Sequence, residues 1–283
     1  MMDTMKNETG YFEGRETTKL FYQNWKPESG KIRAFIIAMH DWGSHSDRLK
    51  LPAEYLTEKG YAIYSFDLRG HWRNAGDYPG HMVSMFDHIQ KDIVLFMDIV
   101  KKDSGDKKIF LMGEGFGGLI ALIYGMNHPQ LDGVIVSSPE LGLIQKLSAS
   151  KKVGAKLVPT KTIKHEINQK ILTSDLKILK QYFADKNKIN LISIESATER
   201  ATSMKWAMKN ASKLACHCLI MQAGNDKMVD KKKTKEFFDK IKSTPEKKTY
   251  KEYDGFLHEL WHERGRAQVY QDMFIWLEKR IKS

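Results

Sequence analysis

Residues 113–118 read Gly-Glu-Gly-Phe-Gly-Gly, a glycine-rich turn between two different sequence patterns. Residues 108–112 before the turn are apolar after Lys108 and predict a buried strand, and the pattern at 119–126 after the turn predicts a helix. Strand-to-helix turns hold phosphate groups or nucleophiles in several α/β folds, because backbone N–H groups at the helix start point outward. The turn is therefore a candidate functional site.

Strand-like and helix-like segments alternate on both sides of this turn. Predicted strands lie at 13–15, 19–25, 34–38, 61–66, 108–112, 133–137, 218–221 and 249–253. Predicted helices lie at 49–59, 87–101, 119–126, 231–242 and at the C-terminus up to 281. This alternation indicates an α/β fold, with a mostly parallel central sheet flanked by helices.

The alternation stops after Pro139, since residues 141–198 show helical patterns and no buried strand. A helical insertion in the middle of such a sheet is typical of a cap over the site. We therefore predict a core formed by residues 1–139 and 199–283, with a helical cap, or lid, at 140–198.

Composition limits the classes of function. The chain has 283 residues, of which 41 % are hydrophobic, and a net charge of +11. The charge favours an anionic partner, but basic residues do not interleave with aromatic residues as in a nucleic-acid module, so no nucleic acid is expected. Residues 1–10 do not resemble a signal peptide, and no apolar stretch is long enough to cross a bilayer. A cytoplasmic location is expected.

The glycine-rich turn satisfies G-x-G-x-x-G, the dinucleotide-binding fingerprint, and Glu140 stands where an acid could bind the ribose. Two features count against this interpretation. Glu114 would place a carboxylate beside the phosphates, and the motif normally opens the first βαβ unit of its domain. Close packing at the strand–helix junction also explains the glycines.

Residues 258–262 read His-Glu-Leu-Trp-His, which satisfies the zinc motif H-E-x-x-H. On a helix, His258 and His262 would hold zinc and Glu259 would act as the general base. However, Gln268 stands where a third histidine would extend the motif, and one helix is all that follows. No metal is expected.

A third interpretation is a nucleophile elbow, G-x-S-x-G, in which glycine replaces serine. In this motif the serine lies on a strained strand–turn–helix that exposes its hydroxyl. Gly115 occupies that position at the expected junction. Glycine relaxes the backbone strain, but it provides no oxygen with which to form an acyl-enzyme.

Further segments agree with the elbow. They are 39–46 (MHDWGSHS), 66–71 (FDLRGH), 137–139 (SSP), 173–175 (TSD) and 183–185 (FAD). With 113–118, they resemble the oxyanion loop, the F-D-x-R-G-H segment, the elbow and the cap of one family. Over nearly its whole length the chain resembles the monoacylglycerol lipase/lysophospholipase branch of the α/β-hydrolases.

The resemblance implies a set of site residues. Gly115 takes the nucleophile position, Asp226 is the expected acid and His258 the expected base, in the chain order of this fold. The backbone N–H groups of Trp42 and Phe116 are expected to form the oxyanion hole. The resemblance also implies an acyl-enzyme mechanism and no cofactor.

The chain departs from the family pattern at two positions. Asp41 replaces the first glycine of the oxyanion loop, so a charged side chain must fit beside the site. Gly115 replaces the nucleophile. The chain is then either a natural non-catalytic lipid-binding protein or an engineered inactive variant, and the intact acid, base and loop favour the engineered variant.

The predicted cap suggests the substrate and a membrane contact. Leu143, Ile144 and Leu147 repeat at helical spacing and are candidate substrate-binding residues for a single acyl chain. The resemblance implies a monoacylglycerol, a lysophospholipid or a simple ester. Lysines surround these residues at 146, 151, 152, 156, 161 and 164. Such a basic amphipathic stretch either contacts an anionic membrane surface or forms a solvated face.

Overall fold

The apolar runs of the sequence form the middle of an eight-stranded sheet in the computed structural model, which describes residues 5–82, 84–144, 161–165 and 167–282. The strands of this sheet are β1 (Met5–Glu13), β2 (Lys19–Pro27), β3 (Ala34–Met39), β4 (Tyr61–Phe66), β5 (Ile109–Glu114), β6 (Gly133–Ser137), β9 (His217–Ala223) and β10 (Lys248–Tyr253). Their spatial order is β1-β2-β4-β3-β5-β6-β9-β10.

Strand direction changes only at one edge of this sheet. β1 pairs antiparallel with β2, and β2 pairs antiparallel with β4. Every other neighbouring pair is parallel. Strands β3 to β6 are buried along their whole length, which explains why they read as unbroken apolar runs. The predicted mostly parallel α/β sheet is confirmed.

Helices cover both faces of the sheet. The α-helices of the described residues are α1 (Lys50–Glu58), α2 (Met85–Ser104), α3 (Phe116–Asn127), α4 (Leu176–Ala184), α5 (Ile194–Asn210), α6 (Lys231–Lys240) and α7 (Arg266–Ile281). One apolar cluster joins the sheet to α2 and α3, and the other joins it to α1 and α7. Within the described ranges, no helix combines the length and the apolar character that a membrane span requires.

The fold places the predicted site residues at one edge of the sheet. Parallel strands all end at the same edge, so the loops that follow β3, β5, β9 and β10 meet there. These loops carry Asp41, Gly115, Asp226 and His258, respectively. The chain thus brings together residues that lie more than 200 positions apart in the sequence.

The segment predicted as a helical cap differs in part from the expectation. It contains a short antiparallel pair, β7 (Thr162–Lys164) with β8 (Leu191–Ser193), and β8 is largely buried. Strands of three residues are too short to show an alternating pattern, so the sequence did not reveal them. The predicted boundary at 198 falls inside α5. The division into core and cap stays a prediction.

Candidate functional site

Gly115 forms a sharp turn between β5 and α3. Its φ of 55° and ψ of −116° lie in a region that residues with a side chain rarely adopt. The Gly115 N–H donates to the Ser137 carbonyl at 2.9 Å, and the Gly115 carbonyl accepts from Leu119 and Glu140. The backbone therefore has the strained geometry expected of a nucleophile elbow, although position 115 carries no side chain.

Close packing explains the neighbouring glycines. A Cβ at Gly117 would overlap the Met39 carbonyl oxygen and lie 2.7 Å from that of His40. The carboxylate of Glu140, the candidate ribose ligand, is instead held by the buried guanidinium of Arg200. The dinucleotide interpretation is wrong, because the glycines fit helix α3 against β3 and the acid is already paired.

Asp226 and His258 form a buried hydrogen-bonded pair. The distance from Asp226 Oδ2 to His258 Nδ1 is 2.9 Å. Asp226 Oδ1 accepts from the backbone N–H groups of Met228 at 2.8 Å and Val229 at 3.0 Å. Burial alone would raise the pKa of Asp226, but the charge and hydrogen bond of His258 lower it. The carboxylate can therefore orient the imidazole through Nδ1.

The carboxylate of Asp41 lies in the space expected for the nucleophile and the oxyanion. Its Oδ1 accepts from the Trp42 N–H at 2.7 Å and from the Phe116 N–H at 2.6 Å. Its Oδ2 lies 3.6 Å from His258 Nε2. A Cβ built on Gly115 would be 2.6 Å from Oδ2 and closer still to Oδ1. The two backbone N–H groups converge as predicted, but they already hold an anion.

Several groups keep Asp41 ionised. Burial alone would raise its pKa, but His258, the Phe116 N–H and the charge of Arg200 hold the pKa below its usual value. The Phe116 N–H also belongs to the first turn of α3, where the helix dipole favours an anion. The sequence identified Asp41 as a departure from the family pattern beside the predicted site. That its side chain enters the site could not be seen without the fold.

His258 faces two carboxylates. Burial alone would lower its pKa, but Asp226 and Asp41 together raise it well above the usual 6.5. His258 therefore keeps its proton to a higher pH than an unperturbed imidazole does. A histidine that is already protonated cannot act as a general base, so Asp41 alters the predicted base as well as the predicted oxyanion hole.

The buried guanidinium of Arg200 borders the site. No motif in the sequence predicted this residue there. Arg200 pairs through two nitrogens with Glu140, and it donates to His165 Nε2 at 3.1 Å. Its guanidinium lies 5.1 Å from the ring centroid of Trp42 and 5.5 Å from that of Phe116. Glu140 and Arg200 are 60 residues apart, so their pairing leaves no local signal in the sequence.

The H-E-x-x-H residues do not have the arrangement that the zinc motif requires. The segment is not one α-helix, since only Leu260–His262 form a 3-10 turn. His258 faces Asp226, whereas His262 Nδ1 lies 3.4 Å from Glu114 and 3.2 Å from Glu259. The interpretation is wrong for this reason.

Glu114, Glu259 and His262 do come close enough to hold a metal ion. However, the two carboxylates raise the pKa of His262 to about 9, against the opposing effect of burial. His262 Nε2 also lies 2.7 Å from the Arg48 carbonyl oxygen, to which it can donate. His262 is therefore held between two carboxylates and a carbonyl oxygen, as in a buried ion-pair network.

The candidate substrate-binding residues lie beside the loop that carries Asp226. Leu143 forms an antiparallel bridge with Val229, and the Ile144 N–H donates to the Met228 carbonyl. Ile144 is half exposed. The helical spacing predicted for them is wrong at 143 and 144, because this backbone pairs with 228–229. Leu147 lies outside the described residues.

A small cavity opens beside Asp41. Its volume is about 60 Å³, and its lining includes Asp41, Trp42, Arg48, Leu172, Tyr182 and Lys188. Such a space holds several water molecules. Water or a small ligand in this cavity would lie against Asp41.

Comparison with known proteins identifies related sequences. The family described as serine aminopeptidase, S33 matches residues 30–265. Mouse monoglyceride lipase is 27 % identical, over 93 % of this chain and 88 % of its own. Phospholipase YtpA of Bacillus subtilis is 26 % identical, over 87 % and 96 %. An uncharacterised abhydrolase domain-containing protein of Dictyostelium discoideum is 28 % identical over 95 % of this chain, which spans 28 % of that protein.

A solved structure confirms the fold. A soluble variant of monoglyceride lipase from Saccharomyces cerevisiae superposes with a TM-score of 0.85 at 21 % identity, over 99 % of this chain and 97 % of the other. The predicted α/β-hydrolase fold and the resemblance to monoacylglycerol lipases are therefore both confirmed. The roles of individual site residues stay predictions.

The charge on Asp41 is expected to control the protonation of His258. Asp41→Asn removes one of the two anions that raise the pKa of His258, so we expect that pKa to fall. In the unmodified chain the folded-state pKa exceeds the unfolded value, so the ion pairs stabilise the fold fully below pH 6.5. This stabilisation is lost as pH rises through the folded pKa.

The measurement is an NMR titration of the His258 ring in both proteins. Asp47→Asn is the control, because its half-exposed carboxylate pairs with Arg73 rather than with His258. An unchanged His258 pKa in the Asp41→Asn variant would contradict the arrangement described for the site.

Proposed function

The chain belongs to the serine aminopeptidase S33 family of α/β-hydrolases, and we propose that it binds single-acyl lipids or simple esters without forming an acyl-enzyme. The sequence similarity to a monoglyceride lipase and a phospholipase supports the substrate class. The position of Asp41 supports the second part of the proposal, that no acyl-enzyme forms. Asp41 Oδ1 accepts from both N–H groups that an ester oxyanion would require.

Two separate defects block ester hydrolysis by the serine mechanism. Gly115 provides no hydroxyl to attack the ester carbon, and removal of a nucleophile typically costs about 10⁶-fold in rate. Trp42 and Phe116 are not available to a substrate, and the loss of a single oxyanion-hole donor costs about 10²–10³-fold. The two defects together make turnover by this route negligible.

The two departures from the family pattern fit each other. A serine at 115 would bring its Cβ against the Asp41 carboxylate, so the serine and this conformation of Asp41 exclude each other. Glycine at 41 would leave no side chain to occupy the hole. This complementarity favours a natural pair over a single engineered exchange at 115. We therefore propose a natural pseudoenzyme with respect to serine-based ester hydrolysis.

The surface of the cap supports a contact with an anionic membrane. Helix α4 exposes Leu176 by 70 % and Phe183 by 59 %, seven residues apart on the same face. Lys177 and Lys180 are exposed on the same helix. Exposed apolar side chains beside lysines are typical of helices that lie in the membrane interface. Of the other lysines predicted for this contact, Lys161 and Lys164 are exposed, and the rest lie outside the described residues.

Restoring serine is expected to require two substitutions. We expect Asp41→Gly/Gly115→Ser to hydrolyse monoacylglycerols and short esters and to react with a fluorophosphonate. Gly115→Ser alone should be at least about 100-fold slower, because Asp41 competes for the oxyanion hole. The unmodified chain and Asp41→Gly should be inert. The measurement is the rate of ester hydrolysis and of labelling for all four proteins.

The activities of these four proteins distinguish a natural glycine at position 115 from an engineered one. Full activity of Gly115→Ser alone would favour the engineered variant and contradict the matched pair. Binding of a monoacylglycerol and of a lysophospholipid to the unmodified chain, measured by calorimetry, tests retention of the lipid site. No binding of either lipid would contradict the proposed substrate class.

The membrane contact is expected to depend on salt and on α4. We expect sedimentation with phosphatidylserine-containing vesicles at low ionic strength, weakening as salt screens the lysines. Leu176→Ser/Phe183→Ser should reduce it, whereas a matched exchange of exposed apolar residues elsewhere, Val94→Ser/Leu95→Ser, should not. Absence of sedimentation at low salt would exclude the contact.

A further inference from the structure

We propose that Asp41 is a nucleophile toward saturated carbon, so that the site hydrolyses alkyl electrophiles whose leaving group departs as a stable anion, such as short alkyl halides. This activity goes beyond the proposed function and does not depend on the lipid substrate. It rests on the two differently placed oxygens of one carboxylate. Oδ1 is fixed by two backbone N–H groups, and Oδ2 lies 3.6 Å from His258 Nε2. Asp41 also lines a cavity.

The fixed oxygen decides which substrates can react. An ester substrate would need the two N–H groups for its own oxyanion, and its alkoxide is a far poorer leaving group than a carboxylate. Displacement at a saturated carbon builds no negative charge on a carbonyl oxygen, so it needs no free oxyanion hole. The occupied hole therefore blocks esters but leaves Oδ2 able to attack alkyl electrophiles.

The first step forms one bond and breaks one bond. Asp41 Oδ2 donates an electron pair to the carbon, and the carbon–halogen bond breaks with its electron pair on the halide. A carboxylate nucleophile of this kind gives a covalent ester with the enzyme. The indole N–H of Trp42, which is buried and has no hydrogen-bond partner in the described structure, is available to the departing anion. Arg48 and Lys188, which line the same cavity, supply positive charge.

The second step uses the oxyanion hole on Asp41 itself. Alkylation removes the negative charge of Asp41 and so lowers the pKa of His258, which releases its proton to solvent and becomes free to act as a base. His258 then takes a proton from water, and the hydroxide adds to Cγ of Asp41. The negative charge that develops on Oδ1 is already hydrogen-bonded to Trp42 and Phe116.

Collapse of this tetrahedral intermediate at Cγ of Asp41 completes the reaction. The Cγ–Oδ2 bond breaks, His258 returns its proton to the leaving alkoxide, and the alcohol departs with the oxygen that belonged to Asp41. The new carboxylic acid retains the oxygen of water and gives its proton to His258, which restores the starting ion pair. In total, an alkyl halide and water give an alcohol, a halide ion and a proton.

The covalent intermediate can be trapped. His258→Phe removes the base of the second step, so incubation with 1-bromobutane should accumulate one butyl ester per chain on the Asp41 peptide, detected by mass spectrometry. Asp41→Asn in the same background should remove the adduct. Asp47→Asn, which changes a half-exposed carboxylate on the same loop, should leave the adduct unchanged.

The unmodified chain provides an independent readout. With enzyme in excess over 1-bromobutane in ¹⁸O-water, the butanol should carry unlabelled oxygen and Asp41 should gain ¹⁸O. Labelled butanol with unlabelled Asp41 would overturn the proposal, as would a folded chain that gives neither adduct nor butanol. Lipid binding and the serine-restoration series would be unaffected by this failure, so the two proposals fail separately.

Discussion

Two backbone N–H groups, those of Trp42 and Phe116, converge on one point at the edge of the sheet, and the chemistry of the site depends on what occupies that point. In this chain the occupant is Asp41 Oδ1. The same carboxylate forms an ion pair with His258 and lies over Gly115. This one carboxylate thereby helps Asp226 to raise the pKa of His258, occupies the predicted oxyanion hole and limits which residue fits at 115.

The sheet makes this convergence possible. Strands β3 and β5 are parallel neighbours, so the residue after β3 and the first turn of α3 meet at the same edge. Gly117 allows the helix to approach the Met39 and His40 carbonyls closely. Asp226 and His258 reach the same point from β9 and β10, which are also parallel neighbours. The scaffold of a hydrolase is present, with a different group at its centre.

Much of the fold could be predicted from the sequence, because buried parallel strands read as continuous apolar runs. Strands β4 and β6 begin and end where the pattern indicates. The pair β7–β8 could not be found, because three-residue strands have no measurable period. Leu143 and Ile144 were mistaken for a helix because their pairing partner lies some 85 residues away in the loop after β9.

The candidate site was predictable in its parts rather than in its arrangement. Motif spacing and family resemblance located Gly115, Asp226 and His258, and the structure brings them together. The buried pair of Arg200 and Glu140 leaves no motif. Asp41 was visible as a charged residue in an unusual place. Its entry into the hole depends on the space left by Gly115, 74 positions away, which only the folded chain reveals.

The central claim is that the Asp41 carboxylate fills the oxyanion hole, and a crystal structure of the unmodified chain tests it most directly. We predict electron density for the carboxylate with Oδ1 within hydrogen-bond distance of the Trp42 and Phe116 nitrogens. In an Asp41→Gly crystal the same place should contain a water molecule or a small anion. A structure of the unmodified chain in which the Asp41 side chain points to solvent and water occupies the hole would contradict this claim.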